Sequence, residues 1–184
     1  MSKEIRDIIY AACISIESIC LEVGVHRGIN AEKIAKHNPQ KLYLIDCWDC
    51  QRTNLEEKNI IIHSHVGANN EKQTNWYNEV KEKFQNNTNV EIIKEYSHVA
   101  CESFENNFFD FIYIDGLHDY SSVLQDLNMW KNKLKTTGII LCDDYIENSK
   151  RGYGVIPAIE CFLKNNTKFT GQLLGQQLFL LKQQ

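Results

Sequence analysis

Short runs of β-branched and aromatic residues alternate along this chain with longer stretches whose apolar positions recur every three or four residues. Ile5, Ile8, Ile9, Ala12 and Ile16 follow the second rhythm and predict an amphipathic helix ahead of the first strand. Strands are predicted over 18–23, 41–46, 90–94, 109–115 and 138–142. Helices are predicted from about 30 to 36, over 71–84, and from Pro157 to Leu163, with Val123, Leu127, Trp130 and Leu134 marking the stripe of one more. Two apolar runs, 169–174 and 177–181, suit an antiparallel hairpin turning at Gly175. Strands that alternate with helices in this way predict an α/β domain built on a mostly parallel sheet. No internal repeat or low-complexity tract interrupts the pattern.

At 184 residues the chain has room for one domain and not for two ordinary ones. Its 24 acidic and 20 basic residues give a formal charge of -4, which argues against nucleic acid or anionic membrane as a broad-face partner. The opening stretch lacks the apolar core of a signal peptide and no run reaches membrane-spanning length. Seven cysteines, at 13, 20, 47, 50, 101, 142 and 161, are scattered through mostly apolar surroundings. Reduced thiols in a cytoplasmic protein are the plain expectation.

Three places could carry chemistry. The first is Leu21-Glu22-Val23-Gly24-Val25-His26-Arg27-Gly28, where the first strand ends. Glycines there permit a sharp turn and let a ligand approach backbone N–H groups before a helix begins. A dinucleotide fingerprint would put glycine at position 26, and the His26 ring would crowd a diphosphate, so a ligand without one fits better. The second is Asp46, at the end of the second strand, which could accept both ribose hydroxyls of a nucleoside lying in the crevice. Trp48 is close enough to flank an adenine, or it is a core tryptophan.

The third place is the richest. Two buried-strand patterns end in carboxylates, at Asp115 and at Asp143-Asp144. In a doubly wound sheet such strand ends face one crevice. Close carboxylates repel unless a cation sits among them, and hard oxygen donors select Mg²⁺ or a similar ion. The plainer reading makes one or both of Asp143 and Asp144 a cap for the following segment. His118, three residues beyond Asp115, could accept a proton near neutral pH, although loop histidines are commonly just solvated. Cys47 and Cys50 with His63 and His65 invite a zinc reading, but the H-x-H spacing is too short for a finger and no second C-x-x-C exists.

Together these residues resemble the class I S-adenosylmethionine-dependent methyltransferases, over nearly the whole chain. Glu22-Val-Gly24-x3-Gly28 looks like that superfamily's cofactor loop, with Asp46 at its ribose position. Phe109-Asp-Phe-Ile-Tyr-Ile-Asp115-Gly-x-His118-x-Tyr120, Asp126, Trp130, Gly138 and Asp143-Asp144-Tyr145 look like the macrocin O-methyltransferase-like branch, as do Gly154-Val155, Ala158 and Phe162. The resemblance implies a Rossmann-like, doubly wound sandwich with a mostly parallel seven-stranded sheet ordered 3-2-1-4-5-7-6 and a C-terminal antiparallel hairpin. It implies that Glu22, Gly24, His26, Gly28, Asp46, Trp48, Ser97, His98 and Asp115 bind S-adenosylmethionine. Asp115, Asp143 and Asp144 match metal ligands, and His118 matches the catalytic base. Leu117 departs from the branch, whose members tend to carry an acidic residue there.

The implied activity is Mg²⁺-assisted O-methylation of a small molecule, with sugar or glycosylated metabolites favoured. The expected partners are a small-molecule acceptor and a second copy of the chain, without nucleic acid or membrane. Two other classes compete. One is a module that binds S-adenosylmethionine without turnover; the other is a nucleotide-dependent oxidoreductase on a similar sheet.

Overall fold

The computed structural model describes residues 2–49, 69–146 and 154–183. Helix α1 (Ser2–Cys13) leads into β1 (Ile19–Val23), α2 (Ile29–Ala35), β2 (Lys41–Asp46), α3 (Asn70–Phe84) and β3 (Val90–Lys94). Then follow α4 (Ser97–Glu102), β4 (Phe109–Ile114), α5 (Tyr120–Trp130), β5 (Leu134–Cys142), α6 (Val155–Asn165), β6 (Phe169–Leu174) and β7 (Gln177–Lys182). The seven strands form one sheet in the order β3-β2-β1-β4-β5-β7-β6. Strands β1 to β5 pair in parallel, and among the described strands β7 alone runs opposite to the rest, antiparallel to both β5 and β6. The fold expected from the sequence is the fold observed.

Each central strand is apolar on both faces because both faces are covered. Leu21, Val23, Ile112, Ile114, Ile140 and Cys142 point to one side, where they pack with Val123, Leu127, Trp130, Ile159 and Phe162. Cys20, Phe111, Tyr113 and Leu141, one position out of phase, point to the other side with Ile9, Tyr10, Ile34, Val80 and Phe84. This period-two division assigns α4, α5 and α6 to one layer and α1, α2 and α3 to the other. It also decides the direction of every polar residue at a strand end.

Two boundaries differ from the sequence pattern. Leu134, read as the end of the helical stripe, is instead the first residue of β5, and α5 stops at Trp130. Residues 134–142 enter the sheet by way of an irregularity between Phe109, opposite Leu134, and Phe111, opposite Ile139. Such a bulge breaks the strict alternation on which the prediction rested. Helix α6 begins at Val155, before Pro157. Proline is harmless there because the first-turn N–H groups of a helix have no intrahelical acceptor. Helix α4, six residues long, carried too short a pattern to be predicted. Among the described residues no helix is long and apolar enough to cross a membrane.

Candidate functional site

The order of the sheet reverses between β1 and β4, so the crevice at their carboxyl ends is the natural ligand site of this topology. Strand pairing continues past the strand ends there. The Gly24 N–H donates to the Ile45 carbonyl at 2.9 Å, the Asp115 N–H to that of Val23 at 2.9 Å, and the Asp143 N–H to that of Ile114 at 3.1 Å. The β1 turn is therefore fixed against both flanking strands. Gly24 has φ 88°, and a Cβ placed on it would lie 2.1 Å from the Asp115 carbonyl oxygen. No other residue fits. Gly28 also has positive φ, 73°, but its nearest neighbour would be the Val80 side chain at 3.2 Å.

Asp46 organises this turn. One carboxylate oxygen accepts the His26 N–H at 2.8 Å and the other accepts the Trp48 N–H at 2.9 Å. The Trp48 indole donates in return to the His26 carbonyl at 2.7 Å. His26 and Trp48 both have positive φ, 53° and 39°, conformations that side chains adopt only when their surroundings hold them. The Trp48 ring, 2% exposed, packs on Tyr77 with centroids 5.0 Å apart. It is placed as a wall of the core that shapes the turn, not as an open face for a base. His26 meets Trp76 edge-on at 4.2 Å.

Glu22 lies beneath the turn on the α1–α2 side of the sheet, 1% exposed. Asn30 Nδ2 donates to its Oε1 at 3.3 Å, and the Tyr10 hydroxyl donates to Asn30 Oδ1 at 2.7 Å. Its Oε2 is buried without a hydrogen bond. Burial, followed by the charge of Asp115, pushes the Glu22 carboxyl well above the ordinary range. The unfolded chain gives up this proton near the usual value and the folded chain holds it to higher pH. Folding stability therefore falls as pH rises from about 4.5 towards the folded-state value. Glu22→Gln, which imitates the protonated acid, is expected to raise the melting temperature more at pH 8 than at pH 5. Thermal melts at the two values check this, and an equal gap at both would remove Glu22 as the cause.

Ser97 opens α4 just beyond β3. Its hydroxyl donates to Asp126 Oδ1 at 2.6 Å and accepts from the Trp130 indole at 2.9 Å. Burial raises Asp126 to about 6. The hydroxyl proton is thus committed to Asp126, leaving Ser97 only an acceptor lone pair for anything in the crevice. His98, half-buried, stacks on Tyr96 with centroids 5.9 Å apart.

Across the crevice, Asp115, His118 and Asp144 come together. His118 Nε2 is 3.2 Å from Asp115 Oδ1 and its Nδ1 is 3.4 Å from Asp144 Oδ2. One ligand atom from each of the three lies within 4.8 Å of the others. Two carboxylates and an imidazole are a donor set that suits a divalent cation. The three side chains are 26%, 25% and 23% exposed, so all are reachable. Burial raises Asp115 to about 7 against the hydrogen bond from His118. The same hydrogen bond, reinforced by the charges of Asp115, Asp144 and Asp143, raises His118. The loop that carries His118 is held by Asp119, whose side chain caps α5 by accepting the Ser121 and Ser122 N–H groups. Gly154 lies against it so closely that a Cβ there would meet the His118 carbonyl oxygen at 2.5 Å.

Asp143 does not join this cluster, which corrects the three-aspartate ligand set expected from the sequence. Consecutive side chains leave a strand on opposite sides, and Asp143 follows Leu141 towards α1. There it pairs with Arg6 at 3.2 Å and accepts from Gln177 Nε2 at 2.7 Å. The segment that Asp143 or Asp144 was weighed as capping runs on into 147–153, outside the described residues. Sequence reasoning missed Arg6, Tyr10, Asn30 and Gln177, which surround the site from elements far apart in the chain. Cys50, His63 and His65, weighed as zinc ligands with Cys47, lie outside the described residues.

A family model described as a methyltransferase domain matches residues 21–145. No curated protein matches the chain. Among solved structures, an rRNA methylase from Streptococcus thermophilus is similar at TM-score 0.65 and 14% identity, over 97% of this chain and 95% of that one. A SAM-dependent methyltransferase from Aquifex aeolicus is similar at TM-score 0.58 and 18% identity, over 91% and 81%. A candidate caffeoyl-CoA O-methyltransferase from Staphylococcus aureus is similar at TM-score 0.61 and 14% identity, over 91% and 76%.

Proposed function

The chain belongs to the methyltransferase-domain family and is an S-adenosylmethionine-dependent methyltransferase, and on that premise we propose that it methylates a hydroxyl oxygen of a small molecule with the help of a divalent cation. The observation that carries this reading is His118 standing between Asp115 and Asp144 at the mouth of the crevice. The cofactor supplies an activated methyl group on a sulfonium. The protein's task is then alignment and removal of one proton. Glu22, the Gly24–Gly28 turn, Asp46 and Ser97 border the cofactor's side of the crevice, and His118 borders the acceptor's.

Asp115 and Asp144 are the residues that would hold Mg²⁺ or a similar ion, which when bound polarises the acceptor hydroxyl and lowers its pKa. The contacts of His118 with Asp115 and Asp144 favour its protonated form. With a cation held by Asp115 and Asp144, the His118 imidazole would be favoured in its neutral form, able to accept the hydroxyl proton. The proton balance closes: oxygen gains the methyl group, His118 gains the proton, and S-adenosylhomocysteine leaves. Asp115 touches both groups of residues, with its backbone against Gly24 and its carboxylate against His118.

A macrocin O-methyltransferase-like preference for sugar hydroxyls rests on the 109–145 pattern. Similar structures include ones described as rRNA methylases, but the formal charge of -4 runs against a polyanionic substrate. A screen of the protein saturated with S-adenosylmethionine tests the proposal, with sugar, catechol and rRNA acceptors, each with and without Mg²⁺. Mg²⁺-dependent release of S-adenosylhomocysteine with a hydroxylated small molecule is the expected result. Turnover on rRNA alone, or on small molecules with undiminished rate in chelator, would replace it.

A further inference from the structure

The N-terminal helix reaches into the site through one side chain. Helix α1 lies across β4, where Tyr10 meets Phe111 and Tyr113 edge-on at 5.9 and 6.1 Å. One turn earlier, Arg6 extends to the carboxyl ends of β4 and β5, and its Nη1 is 3.2 Å from the Tyr113 hydroxyl and 3.2 Å from Asp143 Oδ2. The other oxygen of Asp143 accepts from Gln177, which is 1% exposed on β7. Asp143 is therefore clamped between the N-terminal helix and the C-terminal strand. Its side chain is only 9% exposed.

The next residue is Asp144, which contacts His118. Its φ is 53°, a left-handed conformation that a non-glycine residue keeps only when its neighbours over-determine it. The contacts that do so include the Asp143 clamp before it, the Asp143 N–H bond to the Ile114 carbonyl, the Tyr145 N–H bond to the Gln176 carbonyl at 2.9 Å and the Ile146 N–H bond to the Asp144 carbonyl at 2.8 Å. Of these, only the clamp joins elements from the two ends of the chain. A charged hydrogen bond in partly buried surroundings is also stronger than the neutral backbone ones.

We propose that Arg6 is a positioning residue of the active site, acting through Asp143 to hold the Asp144 backbone in the conformation that presents its carboxylate to His118. The docking of α1 and the geometry of the Asp115–His118–Asp144 cluster are thereby coupled. This rests on the proposed function only for its catalytic consequence; the coupling itself is a property of the folded chain. Arg6→Gln keeps length and polarity but removes the charge. Arg6→Lys keeps the charge but carries it on a side chain one atom shorter, without the planar guanidinium that Arg6 presents to Tyr113 and Asp143.

Amide hydrogen exchange followed by NMR tests the coupling without any acceptor. In Arg6→Gln the Asp143 and Tyr145 amides are expected to exchange roughly tenfold faster, the loosening expected when one charged hydrogen bond is lost. The amides of Leu21 and Ile112, at the sheet centre, should keep their rates. Arg6→Lys should recover part of the protection. With an acceptor from the screen, Arg6→Gln should lower kcat and leave KM and the S-adenosylmethionine dissociation constant near wild type. If Arg6→Gln does not fold, Asp143→Asn tests the same clamp from the other side. If both fold, the double variant should exchange no faster than the worse single one. Unchanged exchange at 143 and 145, an equal rise throughout the sheet, or additive effects in the double variant would overturn the coupling. Local loosening with no acceptor found would leave the coupling standing and count only against the enzymatic reading.

Discussion

Gly24→Ala is expected to destabilise the protein by about 4 kcal/mol and to abolish cofactor binding in whatever fraction still folds. Two independent costs combine. At φ 88° an alanine sits in the left-handed region, a cost of about 1–2 kcal/mol for a residue with a Cβ. Its methyl group would also stand 2.1 Å from the Asp115 carbonyl oxygen and 2.6 Å from the Gly116 nitrogen. Both are backbone atoms that cannot rotate away, so the overpacking cost of roughly 1–3 kcal/mol applies in full. Relief would require β1 and β4 to part at the crevice, where the Asp115 N–H pairs with the Val23 carbonyl. Gly28→Ala is the internal comparison. Its φ of 73° carries the same left-handed cost, but the facing atom is a Val80 methyl at 3.2 Å that can give way. That variant should lose only about 1 kcal/mol. Urea melts of both variants, with S-adenosylmethionine titrated by calorimetry, check the contrast. Equal losses would mean that strain alone, not the approach of β4, makes position 24 a glycine.

The same comparison shows what the sequence could and could not disclose. The position of Gly24 at a strand exit was legible because a turn between strand and helix needs a permissive backbone. That the β4 backbone presses on it was not, since Asp115 lies 91 residues away in sequence. Buried strands were legible wherever alternation was uninterrupted, and Leu134 was misread where a bulge broke it. The convergence of Asp115 and Asp144 followed from two strand ends sharing one crevice. The departure of Asp143 depended on phase. A strand's alternation tells which of two adjacent carboxylates shares the side of Leu141, but not that an arginine waits there. Arg6 sits on a helix whose apolar stripe gave no hint of a polar partner across the sheet. Local pattern sets the elements; the partners of buried charges are settled by packing between elements far apart in sequence.

Removal of the His118 imidazole should lower kcat by about 10²–10⁴-fold, the usual contribution of a positioned general base, while S-adenosylmethionine binds as before. The geometry supports both halves. His118 approaches Asp115 at 3.2 Å and Asp144 at 3.4 Å and remains a quarter exposed, so a ring nitrogen can turn to an acceptor hydroxyl. None of the hydrogen bonds that shape the Glu22–Gly28 turn involves it. Two variants separate proton transfer from charge compensation. His118→Ala removes both functions and leaves two carboxylates facing each other. His118→Gln restores a hydrogen-bond donor to Asp115 or Asp144 but cannot accept a proton near neutral pH. If His118 is the base, both variants lose turnover to a similar extent. If its task is only to orient the carboxylates, glutamine should recover most of the rate. Mg²⁺ adds the last arm: excess cation can replace the lost charge between Asp115 and Asp144, but it cannot replace the proton acceptor. Turnover by His118→Ala restored by Mg²⁺ alone would therefore assign His118 to electrostatics and leave the hydroxyl proton to solvent. Turnover that stays low at saturating Mg²⁺ is the outcome that makes the imidazole the base.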